Sequence, residues 1–214
     1  MSLFGRKGEV SRGTRKTSYE RKSKETKIEM PLVNIDGRGK SNITTSIGFL
    51  DHMLTLFAYH GYFDLDIRAE GDTHVDKHHL NEDIGIALGE AFKKALGECK
   101  GITRIAFAEV PMDMASAKVL IDLSNRYAFN FIDSRAEYSE DDDTGEGYSM
   151  ELAMDLLESF AKKLSVNLHI KISGKGDMHH YLEAVFKALG IALDKATRQD
   201  PRRGDEVPSS KGIL

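Results

Sequence analysis

The sequence predicts an α+β fold with an internal duplication. Two similar halves would each hold a mixed sheet of about four strands covered on one face by two helices, related by a pseudo-twofold axis. Three observations carry this. A histidine doublet followed three residues on by a glutamate occurs twice, as His78-His79-Leu80-Asn81-Glu82 and as His179-His180-Tyr181-Leu182-Glu183. A strand-like stretch precedes each copy, Asp64-Leu65-Asp66-Ile67 in one and Asn167-Leu168-His169-Ile170 in the other. An alanine- and leucine-rich amphipathic segment follows each.

The elements follow in order. Residues 1–24 are rich in Arg, Lys, Ser and Gly with few apolar side chains, and read as a mobile arm, not a signal peptide. Residues 26–35 alternate as a strand, Asp36-Gly37-Arg38-Gly39 is a turn, and residues 41–47 are expected to return as the hairpin partner. Leu50, Met53, Leu54, Phe57 and Ala58 have helical spacing, which predicts a helix over 50–60. A strand over 62–69 leads into a helix that the first doublet opens and that runs to about residue 96. The second half reads as strands near 102–110, 117–122 and 127–133, an acidic, glycine-containing exposed loop at 137–147, a helix over 150–164, a strand over 167–172 and a helix over 179–197.

Composition sets the outer limits. A chain of 214 residues with 40% hydrophobic content can form one duplicated domain or two small ones. A formal charge of −4 argues against general nucleic-acid binding. The single Cys99 excludes an internal disulfide and fits a reducing compartment, and no apolar run is long enough to suggest a membrane span. A soluble, cytoplasmic protein is expected.

Helical geometry turns the doublets into a metal prediction. If a doublet opens a helix, His78 and Glu82 lie four apart on one face, as do His179 and Glu183. The intervening His79 or His180 points about 100° away and cannot easily serve the same ion. One doublet therefore suggests contributions to two metal centres. Two copies would give two similar sites, each taking a His/Glu pair from one half and a lone His from the other half, or from a neighbouring subunit. Mixed imidazole and carboxylate donors suit Mn, Fe or Zn better than Ca or Mg. The ordinary alternative is an exposed helix start, where acidic residues favour the dipole; repetition in matching contexts weighs against it. Neutral imidazoles also need their second nitrogen fixed, and Asp76, Asp83 and Asp177 are candidates for that. Aligning Leu65 with Leu168 maps His52 onto Asp155, each early in the helix before the matching strand. His52 is thus a further candidate ligand for one centre and Asp155 for the other, although an aspartate on an amphipathic helix is usually just solvated.

From about Arg15 to Leu214 the chain resembles the imidazoleglycerol-phosphate dehydratase family of histidine biosynthesis. The resemblance rests on Lys24-Glu25-Thr26, Gly48-Phe49-Leu50-Asp51-His52-Met53-Leu54, Gly71-Asp72, Asp76-Lys77-His78-His79-Leu80-Asn81-Glu82-Asp83, Pro111-Met112-Asp113, His179-His180-Tyr181-Leu182-Glu183-Ala184, Asp200-Pro201-Arg202 and Pro208-Ser209-Ser210-Lys211-Gly212. With the N-terminal composition it divides the chain into a mobile arm at 1–14, repeat halves at 15–101 and 102–198, and a phosphate-binding tail at 199–214 that the resemblance implies. It further implies loss of water from D-erythro-1-(imidazol-4-yl)glycerol 3-phosphate, giving 3-(imidazol-4-yl)-2-oxopropyl phosphate. The carbon-bound proton has no neighbouring carbonyl, so the substrate's imidazole must be the electron sink. Two Mn(II) ions per active site would hold that ring and stabilise its charge.

The residue roles come from the same resemblance. Glu25 is the preferred acid/base, with Asp113 and histidines as other candidates. The metal ligands are His52, His78, His79, Glu82, His179, His180 and Glu183, with Asp155 in doubt as an eighth. Arg104, Arg126, Ser209, Ser210 and Lys211 would bind the phosphate, while Lys187 and His60 would line the substrate site; for His60 a simple helix-end role is as good a reading. The resemblance also implies a homo-oligomer of about 24 subunits with metals at the interfaces. The chain departs from the family pattern at Asp155, where relatives carry His or Glu, and at Asp177, Met114, Asn125, Tyr127 and Ala128. A competing reading is a metal-assembled shell whose catalysis is weak or lost. A di-iron carboxylate bundle is set aside because its paired Glu-x-x-His pattern is missing.

Overall fold

The computed structural model describes residues 14–136, 144 and 147–214. The first half runs β1 (Lys16–Lys22), β2 (Thr26–Asn34), β3 (Ser41–Thr44), α1 (Gly48–Gly61), β4 (Asp64–Gly71) and α2 (His78–Leu96). The second repeats that order: β5 (Ile105–Met112), β6 (Ala115–Asp122), β7 (Ala128–Arg135), α3 (Met150–Leu164), β8 (Asn167–Gly174) and α4 (Met178–Thr197). The two sheets have the orders β1-β2-β4-β3 and β5-β6-β8-β7, so the halves share one topology. The expected duplication and its α+β class are therefore present.

Two expectations need correction. Residues 41–47 do not form a hairpin with the preceding strand: β3 pairs parallel to β4, with Ser41 opposite Leu65 and Thr44 opposite Arg68. The cause is α1, which acts as the crossover that a parallel strand pair requires. β7 and β8 repeat this pairing around α3. The reading of 1–24 as an arm also fails in part, because Lys16–Lys22 is an edge strand antiparallel to β2. Its charges suit an exposed edge, and only Tyr19 packs against the core from it. Residues 1–13 and most of the 137–147 loop lie outside the described residues.

Smaller shifts have local causes. β4 begins at Asp64 because Tyr62 caps α1 in the left-handed region at φ 56°. β5 begins at Ile105 because Arg104 has φ 76°, and Ile102 instead makes an isolated bridge to Gln199.

The helices meet across the halves, α1 against α4 and α2 against α3. Exchanging the halves turns α1 into α3 and α4 into α2, so one pair becomes the other; this is the pseudo-twofold in the packing. Close approach depends on glycine. A Cβ at Gly85 of α2 would lie 2.4 Å from the Leu156 carbonyl oxygen of α3, and one at Gly190 of α4 would lie 2.6 Å from the Phe57 oxygen of α1. Phe57, Phe63, Phe92 and Phe160 stack between the pairs with centroids 5.0–6.3 Å apart. Truncating one of these rings to Ala would cost about 3–5 kcal/mol. This packing fixes the starts of α2 and α4, where the doublets sit.

Candidate metal centre and active site

Both doublets open helices. Asp177 caps α4 by accepting a hydrogen bond from the His180 backbone N–H at 2.9 Å; α2 has no side-chain cap, and Asp76, just before its start, accepts from the His78 N–H at 3.0 Å. Each helix start places one His/Glu face against a helix of the other half. His179 and Glu183 face His52 of α1: His52 Nε2 and His179 Nε2 both lie 3.1 Å from Glu183 Oε1. Candidate donor atoms of these three residues all lie within 4.8 Å of one another, a spacing that fits one metal ion. In the pseudo-equivalent place His78 Nδ1 lies 3.4 Å from Asp155 Oδ2 of α3. The charge of Glu82 also acts on Asp155. The alignment of His52 with Asp155 thus corresponds to matching positions in space.

The electrostatics of the two clusters differ. Burial pushes the Glu183 carboxyl up, but hydrogen bonds from Lys187, His52 and His179 outweigh it and hold the pKa at about 2. Lys187 Nζ donates to Glu183 Oε2 at 2.5 Å and lies 3.3 Å from Met112 Sδ. For Asp155 burial raises the pKa; His78 opposes this, while Glu151, Glu158 and Glu82 add to it. His60 is half-buried at the end of α1, and burial followed by the charge of Lys187 lowers its pKa.

The second histidine of each doublet turns elsewhere. His79 Nδ1 lies 3.3 Å from Asp72 Oδ2 and 3.9 Å from Glu25 Oε2. Its hydrogen bond with Asp72 raises its pKa. His180 Nδ1 lies 2.9 Å from Asp177, and its Nε2 lies 3.3 Å from Asp113 Oδ2. Glu25 occupies the β1–β2 turn and Asp113 the equivalent β5–β6 turn, but not at matching positions: the Asp72 N–H donates to Glu25 O and the Lys175 N–H to Met114 O, so Glu25 corresponds to Met114, next to Asp113.

Of the three carboxylates expected to fix an imidazole, only Asp177 does so. Asp76 accepts from the His78 backbone N–H, and Asp83 accepts from Thr26 Oγ1 at 2.5 Å and Arg21 Nε at 2.9 Å. Asp72 was missed, because it follows β4 and lies seven residues before its partner. Asn81 was also missed. It is fully buried, accepts from the Tyr148 hydroxyl at 2.8 Å and donates to the Leu152 carbonyl at 2.7 Å, pinning α2 to the first turn of α3.

The predicted phosphate residues gather at the other end of the fold. The Arg104 backbone N–H donates to Ala196 O at 2.8 Å, near the C-terminus of α4. Its guanidinium is bound by Asp122 at 2.7 and 3.1 Å and donates to Pro208 O at 2.8 Å, which ties the tail carrying Ser209, Ser210 and Lys211 to the head of β5. Arg126 is exposed beside the start of β8, where Asn167 Nδ2 donates to its carbonyl at 2.7 Å. From His179 to Ala196 along α4 is roughly 25 Å at a helical rise of about 1.5 Å per residue.

Comparison with known proteins identifies relatives of the whole chain. Residues 45–193 match the family described as imidazoleglycerol-phosphate dehydratase. An imidazoleglycerol-phosphate dehydratase of Geobacillus kaustophilus is 50% identical over 201 residues, covering 94% of this chain and 99% of that one. One of Pelobacter propionicus is 46% identical over 94% of this chain and 100% of its own. Among solved structures, the Pyrococcus furiosus protein superposes with a TM-score of 0.74 at 36% identity, covering 91% of this chain and 99% of its own. The Staphylococcus aureus enzyme superposes at 0.72 and 32% identity, covering 86% and 100%.

Proposed function

The chain belongs to the imidazoleglycerol-phosphate dehydratase family, a family of hydro-lyases, and on that premise we propose that it is a Mn(II)-dependent dehydratase of histidine biosynthesis. It would convert D-erythro-1-(imidazol-4-yl)glycerol 3-phosphate to 3-(imidazol-4-yl)-2-oxopropyl phosphate. The observation that carries the metal reading is the convergence of His52, His179 and Glu183 within 4.8 Å, with His78, Glu82 and Asp155 in the equivalent place. Two Mn(II) ions, when bound, would supply charge stabilisation to the substrate's imidazole ring.

The protein's own groups account for the proton movements. Glu25 stands beside His79, and its carboxylate would take the carbon-bound proton; Asp113, beside His180 in the equivalent turn, is the other candidate. The departing hydroxyl leaves with a proton supplied by one of these acids or by a doublet histidine. Arg104, Arg126, Ser209, Ser210 and Lys211 hold the phosphate, while Lys187 and His60 line the approach to the first cluster.

The roughly 25 Å between the start and end of α4 bears on assembly. A three-carbon phosphate ester cannot reach from the doublets to the arginines of the same chain, so a complete active site takes its phosphate residues from a second subunit. His79 and His180, which turn away from the clusters of their own chain, serve a neighbouring one in the same way. This supports a homo-oligomer with metals at its interfaces, which by the family resemblance would number about 24 subunits. The reading as a shell without catalysis is weaker, because assembly alone needs neither Glu25 nor a phosphate site. Among the described residues no helix is long and apolar enough to cross a membrane; we place the enzyme in the cytoplasm, free of membrane and nucleic acid.

The test is dehydration of imidazoleglycerol phosphate by metal-stripped protein with Mn(II) added back. Product that appears with added Mn(II) is expected. No product at any Mn(II) level, from an assembled and metal-loaded sample, would overturn the reading.

A further inference from the structure

We infer that Asn167 is a positioning residue of the phosphate site: its side-chain amide holds the loop that presents Arg126. This rests on the phosphate reading of Arg126 above. Arg126 lies in the short connection between β6 and β7, where Asn125 is in the left-handed region at φ 54°. Residues 124–126 lie outside the strands, so their polar groups must find side chains or water. Asn167, the first residue of β8, serves two of them: its Nδ2 donates to Arg126 O at 2.7 Å and to Ser124 Oγ at 3.0 Å. An amide nitrogen carries two hydrogens, one for each acceptor. Ser124 is fully buried, so the hold is anchored in the interior and does not depend on what a neighbouring subunit lays over the loop. The Leu123 N–H donates to Arg104 O at 3.1 Å, and the Asn125 side chain donates to Leu214 O at 3.3 Å. Asn167 thereby fixes Arg126 relative to both Arg104 and the tail. Among the described residues no carboxylate pairs with Arg126, whose guanidinium lies 3.5 Å from Ser124 O and is left for an anionic ligand.

The first repeat uses the same device with opposite polarity. Asp64 opens β4 as Asn167 opens β8, and its Oδ1 accepts from the Arg38 and Lys40 N–H groups at 2.8 and 3.1 Å. The Ile35 N–H donates to Arg15 O at 3.0 Å, the counterpart of the bond between Leu123 and Arg104. Arg38 follows Ile35 by three residues, as Arg126 follows Leu123. A carboxylate in the place of Asn167 would face the Arg126 carbonyl oxygen and add negative charge near a bound phosphate. An amide holds the loop without that charge.

Steady-state dehydration by the assembled, Mn(II)-loaded full chain tests this, with competitive inhibition by inorganic phosphate and by imidazole probing the two ends of the substrate separately. Asn167→Asp keeps the size of the side chain and loses the donor; Asn167→Ala removes the amide. Each should raise KM and the phosphate inhibition constant about tenfold or more, the loss expected when one hydrogen bond to a charged group is forfeited. Neither should change kcat, Mn(II) content or inhibition by imidazole. Arg126→Gln should weaken phosphate binding in the same way, and adding Asn167→Ala to it should weaken binding no further, because Asn167 acts through Arg126. Additive effects of these two substitutions, or unchanged phosphate inhibition in both Asn167 variants beside a weakened Arg126→Gln, would overturn the proposal. Unchanged phosphate inhibition in Arg126→Gln is a different outcome: it would overturn the phosphate reading on which the proposal rests.

Discussion

Thr26 and Asp83 join the two elements that carry the candidate chemistry: the Thr26 hydroxyl donates to Asp83 Oδ2 at 2.5 Å, and Asp83 follows Glu82 on α2. Arg21 donates to the other oxygen of the same carboxylate at 2.9 Å. Glu25, next to Thr26, is thereby held near the doublet. Replacing Thr26 by Val should leave metal content and assembly unchanged but lower kcat by up to about 100-fold, since a misplacement of about 1 Å can cost that much. Thr26→Ser should restore most of it. Steady-state kinetics with metal analysis read both, and full activity in Thr26→Val would show that the link does not position Glu25.

Glu25→Gln keeps the shape of the side chain and removes its capacity to take a proton. Turnover is expected to fall by about 100-fold or more while metal and substrate still bind. Unaltered turnover would move the acid/base role to Asp113 or to a histidine.

Asp72→Asn tests the orientation of His79. The carboxylate fixes one ring nitrogen and so leaves the other for a metal, and loss of such a partner typically costs about 10–100-fold in metal affinity. Calorimetry with Mn(II) measures this, and an unchanged affinity would reduce Asp72 to a surface contact.

Glu183 gives the metal-free protein a defined acid response. Its folded pKa of about 2 lies below the model-compound value of 4.5, so its stabilising contribution is fully present above about pH 4.5 and is lost as the pH falls through about 2. The shift corresponds to a contribution on the order of 3 kcal/mol. Urea unfolding of metal-free protein between these limits should show the loss. Lys187→Met should make it smaller, because the Lys187 hydrogen bond is the foremost interaction holding the pKa down; an identical pH profile would contradict this.

The duplication, the helix openings and the pairing of His52 with Asp155 were legible in the sequence, because each expresses itself in local spacing or in repetition. The parallel pairing of β3 was not, since strand partners are chosen by the crossover helix and leave no mark on the strand itself. β1 was hidden by its composition: an edge strand with one half-buried aromatic looks like a polar arm. Asp72 and Asn81 were missed for a related reason. Each acts on a residue of another element or through a buried contact, and neither has a counterpart at the matching place in the second repeat.

Turnover measured against bound Mn(II) per chain tests the central claim most directly. If the duplicated clusters together serve one substrate ring, activity should rise more steeply than bound metal and reach its maximum only near two ions per chain. Activity that reaches its maximum at one ion per chain would contradict the account.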